Sequence, residues 1–107
     1  MTSLWFVLDK DHNVIAEPDQ EKAARFFGRL NARQVAEDTF MTDVAEVRVS
    51  TVFLGLNHRW SSEEGDPPII FETMVFGGPH DQYQTRCCTW DEALEMHKVA
   101  IKRLNLG

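Results

Sequence analysis

The histidines and cysteines are the side chains of this sequence that could bind a metal ion. The candidate group consists of both cysteines and three of the four histidines, namely His58, His80, His97, Cys87 and Cys88, and zinc takes nitrogen and sulfur ligands of these types. The sequence contains no Cys-x-x-Cys motif and no paired histidine spacing, so we predict no metal site and no cofactor. Arg86 is the only basic neighbour of the two cysteines, which favours unreactive buried thiols over a nucleophile.

Glu72 is the acidic side chain whose position most suggests a role. It interrupts an apolar, strand-like segment at residues 69–76. A carboxylate buried there must be paired, hydrogen-bonded or protonated. We predict that Glu72 is mostly buried and contacts Arg86 or a histidine, with His58 as one candidate. A polar pair within the sheet is the simpler interpretation, and an acid–base role together with a histidine is the alternative.

A second group of side chains near predicted turns and strand ends mixes charge with aromatic surface. Its members are Arg59, Trp60, His80, Tyr83 and Arg86. Such side chains could stack a base and hold a phosphate, as in a protein that binds a nucleotide-like small molecule; scattered surface residues are the alternative. The candidate ligand-binding residues are therefore Glu72, His58, Trp60, Tyr83, Arg86 and His97. No residue is predicted to be catalytic, because no Gly-x-Ser-x-Gly, His-Glu-x-x-His or Walker motif occurs.

His97 belongs to the last predicted helix. The residues Thr89-Trp-Asp-Glu92 form a capping box, in which the threonine hydroxyl and the glutamate satisfy backbone amides reciprocally. One apolar stripe of this helix contains Trp90, Leu94, His97, Ile101 and Leu104. We therefore predict that His97 is a neutral core histidine that donates to a backbone carbonyl.

The remaining helix and strands are predicted from local patterns of polar and apolar residues. Residues 4–8 and 14–16 predict a small N-terminal hairpin around a polar turn, and residues 19–30 predict a helix with an acidic first turn. Strand-like segments lie at residues 33–41, 45–57, 69–76 and 83–88. We predict a single α+β domain over residues 1–107, an antiparallel β-meander of about four strands with one helix before it and one after it.

The central hairpin is predicted to be apolar on both faces. If Asn57 pairs near Ile70, one face carries Val52, Leu54, Leu56, Ile69, Phe71 and Val75, and the other carries Phe53, Gly55, Ile70, Met74 and Phe76. Gly55 would then lie opposite Glu72 and leave space above the strand. Two helices can cover one face, so we predict a homodimer through the other. The alternative is that the N-terminal segment with Trp5 covers it.

Length and charge restrict the class of protein. A chain of 107 residues fits one domain. A net charge of −6 argues against nucleic-acid binding, and no apolar run is long enough for a membrane span or has the pattern of a signal peptide. Adjacent cysteines are poorly placed for a disulfide with each other, so a reduced, cytoplasmic protein is expected.

Two strings resemble a group of small phage and bacterial proteins. They are STVFLGLNH at residues 50–58 and FETMVFGG at residues 71–78, followed by a Thr-Trp-x-Glu-Ala helix start at Thr89 and by His97. Asn57 stands where that group has aspartate, and Cys87 where an aromatic residue is common. The resemblance covers the C-terminal two-thirds of the chain and implies a phage or prophage setting, without an activity or a cofactor.

Three hypotheses for function follow. The first is a non-enzymatic phage accessory protein that binds a host or defence-system protein. The second is a binder of a nucleotide-like small molecule, and the third is a small acid–base enzyme that uses Glu72.

Overall fold

The computed structural model describes residues 5–57 and 67–104. Their elements are β1 (Phe6–Leu8), β2 (Val14–Ala16), α1 (Gln20–Phe27), β3 (Gln34–Met41), β4 (Glu46–Phe53), β5 (Phe71–Phe76), β6 (Gln84–Cys87) and α2 (Trp90–Arg103). Strands β1 and β2 form a hairpin, and β3 to β6 form an antiparallel sheet in which each strand pairs with the next. The predicted α+β meander, with one helix before it and one after it, is confirmed.

Helix α1 begins where the acidic residues predict it and ends earlier than predicted. Asp19 is the N-cap, and its carboxylate accepts from the backbone amides of Glu21 and Lys22. The helix was expected to extend to Leu30, but Gly28 caps it. Asn31 then adopts a left-handed conformation with φ of 58°, which an α-helix cannot accommodate.

Helix α2 begins at the predicted capping residue, although one half of the capping box differs. The Thr89 hydroxyl oxygen accepts from the Glu92 amide at 3.1 Å. The Glu92 carboxylate accepts from that same hydroxyl at 3.0 Å, whereas the capping box predicts a bond to the Thr89 amide. The buried positions of α2 are Ala93, His97 and Ala100, and Leu94 is exposed. The predicted stripe was therefore rotated by about one residue.

The pairing of β4 with β5 differs from the predicted register. Phe53 pairs with Phe71, Thr51 with Thr73 and Val49 with Val75. These six residues have no exposed surface, and they form the face that α2 covers. Phe53 and Phe71 therefore share one face, whereas the predicted register puts them on opposite faces.

The other face of the sheet mixes polar and apolar residues, so the prediction of two apolar faces is wrong. We term this surface the open face. Its residues are Gln34, Glu37, Thr39, Met41, Glu46, Arg48, Ser50, Val52, Glu72, Met74, Phe76, Gln84 and Arg86. A face rich in polar residues opposite an apolar one is typical of an antiparallel sheet with one side in water.

The N-terminal hairpin packs on the same side of the sheet as α2. Its residues Phe6, Leu8 and Val14 join Phe26 and Phe27 of α1 around a core cluster that contains Phe53 and Phe71. Trp5 is partly buried, and its ring centroid lies 5.8 Å from that of Phe27. The predicted alternative, in which this segment covers the second face, is therefore wrong. Within the described residues, no helix or hairpin lies on the open face.

Candidate functional site

A chain of hydrogen-bonded side chains crosses the interface between α2 and the sheet. The Oγ1 atoms of Thr73 and Thr51 lie 2.5 Å apart. Thr51 Oγ1 lies 2.7 Å from His97 Nδ1, and His97 Nε2 lies 2.7 Å from Asp38 Oδ2. We term these four residues the polar chain. Both threonines are fully buried and His97 is 4% exposed, whereas the Asp38 side chain is 51% exposed.

The Asp38 carboxylate determines the direction of its hydrogen bond with His97. An ionised carboxylate only accepts, so His97 Nε2 carries a hydrogen and donates it. In the neutral imidazole, Nδ1 then accepts from the Thr51 hydroxyl, and the Thr51 oxygen accepts from the Thr73 hydroxyl. Every member is satisfied in this arrangement, in accord with the absence of unpaired buried side-chain N or O atoms from the described part of the chain.

The polar chain combines an acid, a histidine and a hydroxyl, which are the groups used in nucleophilic catalysis. A nucleophile must also reach its substrate, and neither threonine has any exposed surface. The chain instead links α2 to three strands, β3, β4 and β5. Its geometry therefore indicates a structural role, which is to hold α2 in one position on the sheet.

For His97, the predicted burial is confirmed and the predicted partner is wrong. Its ring nitrogens bond to side chains of Thr51 and Asp38, and not to a backbone carbonyl. The small residues Ala93 and Ala100 on either side of it allow the helix to approach the sheet. Thr51 and Thr73 are the sequence features that indicate a side-chain partner for His97, because a polar residue at an inward strand position needs a hydrogen-bond partner.

Glu72 contacts Arg86, as predicted. Its Oε2 accepts from Arg86 Nε at 2.9 Å, and its side chain is 16% exposed. It pairs across the sheet with Val52, and not with Gly55 as expected. Glu72 lies on the open face while His97 faces the opposite side, so these two residues do not form an acid–base pair. His58, the other predicted histidine partner, lies outside the described residues.

The space predicted next to Gly55 is filled. Gly55 has φ of 81° and its Cα lies against the ring of Phe27, so that a Cβ at this position would overlap the ring. Both the backbone conformation and the close approach require glycine here. The glycine therefore admits an internal aromatic side chain, and leaves no room for a ligand.

The candidate nucleotide-binding residues are not brought together within the described part of the chain. Tyr83 packs on the α2 side of the sheet, with the Arg103 guanidinium 5.0 Å from its ring centroid. Arg86 lies on the open face with Glu72, and His80 is exposed in the turn before β6. His58, Arg59 and Trp60 lie outside the described residues.

Neither a metal-binding cluster nor a membrane-spanning helix is found among the described residues. No group of three or more histidine, cysteine, aspartate or glutamate side chains is placed to hold an ion. Neither α1 nor α2 has the length and apolarity needed to cross a membrane.

Cys87 is expected to react slowly with alkylating agents at neutral pH. Burial, together with the negative charge of Glu92, raises the pKa of its thiol to about 11, so little of the reactive thiolate is present. The rate of iodoacetamide modification, followed by mass spectrometry of the Cys87 peptide, should rise steadily as the pH approaches that value. The same peptide in urea-unfolded protein provides the reference, and equal rates in the two states would contradict the expected protection.

Comparisons with models of protein families, with curated proteins and with solved structures produced no match. The resemblance to phage and bacterial proteins therefore remains a prediction from the two strings at residues 50–58 and 71–78.

Proposed function

We propose that the protein is a non-enzymatic accessory protein of the phage or prophage type, which binds a host or defence-system protein through the open face of its sheet. The observation that carries this proposal is that no described helix or hairpin packs across this face of the four strands, which the end of α1 and residues 29–33 border at Glu37, Ser50 and Val52. The cytoplasm is the proposed compartment, and the free thiol of Cys87 suits a reducing environment.

The composition of the open face supports protein binding. Phe76 is 37% exposed, Met41 is largely exposed, and the Arg48 guanidinium lies 4.4 Å from the Phe76 ring centroid. Aromatic residues, methionine and arginine are enriched at protein interfaces. Charged residues surround these side chains, because Glu46 and Arg48 of β4 lie between Met41 and Phe76. Arg48 bonds to Glu37 at 3.2 Å, and Arg86 bonds to Glu72 at 2.9 Å.

The geometry of the ionisable groups supports a binding role over an enzymatic one. The Thr51 and Thr73 hydroxyls are buried beneath α2, and the Glu72 carboxylate is held by Arg86. Among the described residues, no histidine is placed beside Glu72 on the open face. Within residues 5–57 and 67–104, an acid–base reaction at Glu72 has no histidine as its second group.

Affinity capture with matched surface variants tests this proposal. Thr39→Lys places a charge at an exposed position of the open face, and Val99→Lys makes a similar change on the outer surface of α2, where Val99 is 49% exposed. We expect wild type and Val99→Lys to recover the same host protein, and Thr39→Lys to lose it. Loss in both variants, retention in both, or no recovered protein would refute the assignment of this face.

A second copy of the chain is the other proposed occupant of the open face. Met41 and Phe76 lie exposed on it, and its acidic and basic side chains could pair across a two-fold axis. Sedimentation at micromolar concentration is expected to give a species of twice 12.3 kDa, which Thr39→Lys should convert to monomer. A single monomeric species of wild type would refute the homodimer and leave the face to a different protein.

A further inference from the structure

A groove of about 340 Å³ lies between the β1–β2 turn, the loop at residues 28–33 and the start of α2. We term it the hairpin groove. Trp90 forms one wall, and Leu8 and Phe26 add apolar surface. Gln34 is the one open-face residue that lines it. Its volume is at the lower end of the range for small-molecule sites in proteins.

One wall of the hairpin groove is a flat aromatic surface. The rings of His12 and Trp90 stack with centroids 3.8 Å apart and planes inclined by 7°. His12 lies in the exposed turn between β1 and β2, with φ of 65°. Because His12 covers the Trp90 ring and Phe71 packs against the indole with ring centroids 6.4 Å apart, the outer face of the exposed His12 ring is the surface against which a further planar ring can lie. Stacking of this kind tolerates any base-like ring.

Basic side chains border the same groove. Lys10 and Arg29 are exposed and line it, and neither forms an ion pair with a described carboxylate. The carboxylate in the groove belongs to Asp9, and both of its oxygens are engaged within the turn. They accept from the Asp11 and Asn13 amides and from the Asn13 side chain. The two basic side chains are therefore available to a ligand, in a chain whose net charge is −6.

We propose that the hairpin groove binds a small ligand that joins a planar ring to a phosphate group through a sugar, such as a nucleoside monophosphate. The ring lies against the His12–Trp90 stack, and the phosphate lies between Lys10 and Arg29. The guanidinium can bond two phosphate oxygens at once, and the ammonium group adds a compact charge. This site adjoins the open face at Gln34, and it uses different residues from those that the sequence singled out for a nucleotide.

A neighbouring groove of about 310 Å³ shares Arg29 and is the less suitable of the two. Its aromatic ring, that of Phe27, already carries the Arg33 guanidinium at 4.6 Å from the centroid. The hairpin groove differs in that the outer ring of its aromatic stack, that of His12, is exposed.

An NMR titration of the full chain with ribonucleoside 5′-monophosphates tests the proposal, with adenosine and inorganic phosphate as separate probes. The indole N–H signal of Trp90, assigned with Trp90→Phe, reports on the ring site. We expect at least one monophosphate to shift this signal saturably, and to bind more tightly than adenosine or phosphate alone. Lys10→Ala and Arg29→Ala should each weaken binding about tenfold, because each removes a charge-assisted hydrogen bond.

Lys22→Ala is the matched control, since it removes the same charge from an exposed position of α1 outside the groove. It should leave the affinity within about twofold of wild type, because a distant surface charge is screened by salt. Equal weakening by Lys22→Ala and Lys10→Ala would overturn the proposal in favour of general charge attraction. Weakening by Arg33→Ala without an effect of Lys10→Ala would overturn it in favour of the neighbouring groove. The absence of a saturable shift with every monophosphate would also overturn it.

Discussion

Replacing Phe53 with alanine is expected to lower the free energy of unfolding by about 3–5 kcal/mol. Phe53 has no exposed surface, and its ring centroid lies 5.3 Å from Phe71, 6.0 Å from Phe26 and 6.4 Å from Phe27. The side chain joins the sheet, α1 and the N-terminal hairpin in one cluster. Domains of this size are typically stable by about 5–15 kcal/mol, so a large part of the stability depends on this residue. Urea denaturation measures the loss.

Phe76→Ala is the control for this change, because it removes an identical side chain from the next strand but from the open face. Phe76 is partly exposed and contacts the Arg48 guanidinium, so its truncation should cost about 1 kcal/mol or less. An equal loss from both variants would contradict the assignment of one face to the core and the other to the surface.

Thr51→Val is expected to lower the free energy of unfolding by about 2–5 kcal/mol, although it preserves the shape of the side chain. It removes the donor to His97 Nδ1 and the acceptor of the Thr73 hydroxyl. Each buried polar group without a partner costs about 1–3 kcal/mol. Thermal or urea unfolding of the purified variant provides the measurement.

The double variant Thr51→Val/Thr73→Val should be more stable than Thr51→Val alone, because only His97 then lacks one partner. This reversal distinguishes a hydrogen-bond network from simple packing, in which the second change would add to the first. Thr39→Val, on the exposed surface of β3, should have an effect close to zero. Additive losses in the double variant would show that the polar chain does not act as a unit.

The elements of this fold could be predicted from the sequence because their signals are local. The acidic start of α1, the threonine cap of α2 and the turn residues between strands each act over a few positions. The register of β4 with β5 could not be predicted in this way. Both strands contain apolar residues at alternate and adjacent positions, so Phe53 and Ile70 fit equally well on one face. Contacts with α2, in which His97 lies 46 positions beyond Thr51, decide between the two registers.

The candidate site was only partly predictable for the same reason. Glu72 and Arg86 lie on adjacent strands, and opposite charges within an apolar pattern indicate a pair. Asp38 carried no such signal, because it follows Glu37 in a segment typical of an exposed strand. Its partner His97 lies 59 positions later in the chain. The hairpin groove also depends on distant segments, since His12 and Trp90 stack only after the hairpin packs on the start of α2.

The partial exposure of Asp38 has a consequence for how this sequence can diverge over generations. By solvent exposure alone, position 38 would accept almost any polar residue. The Asp38 carboxylate nevertheless accepts from His97 Nε2, and His97 connects it to two buried threonine hydroxyls. Selection should therefore retain a short side chain with a terminal oxygen at position 38. A surface residue would then evolve at the rate of the core.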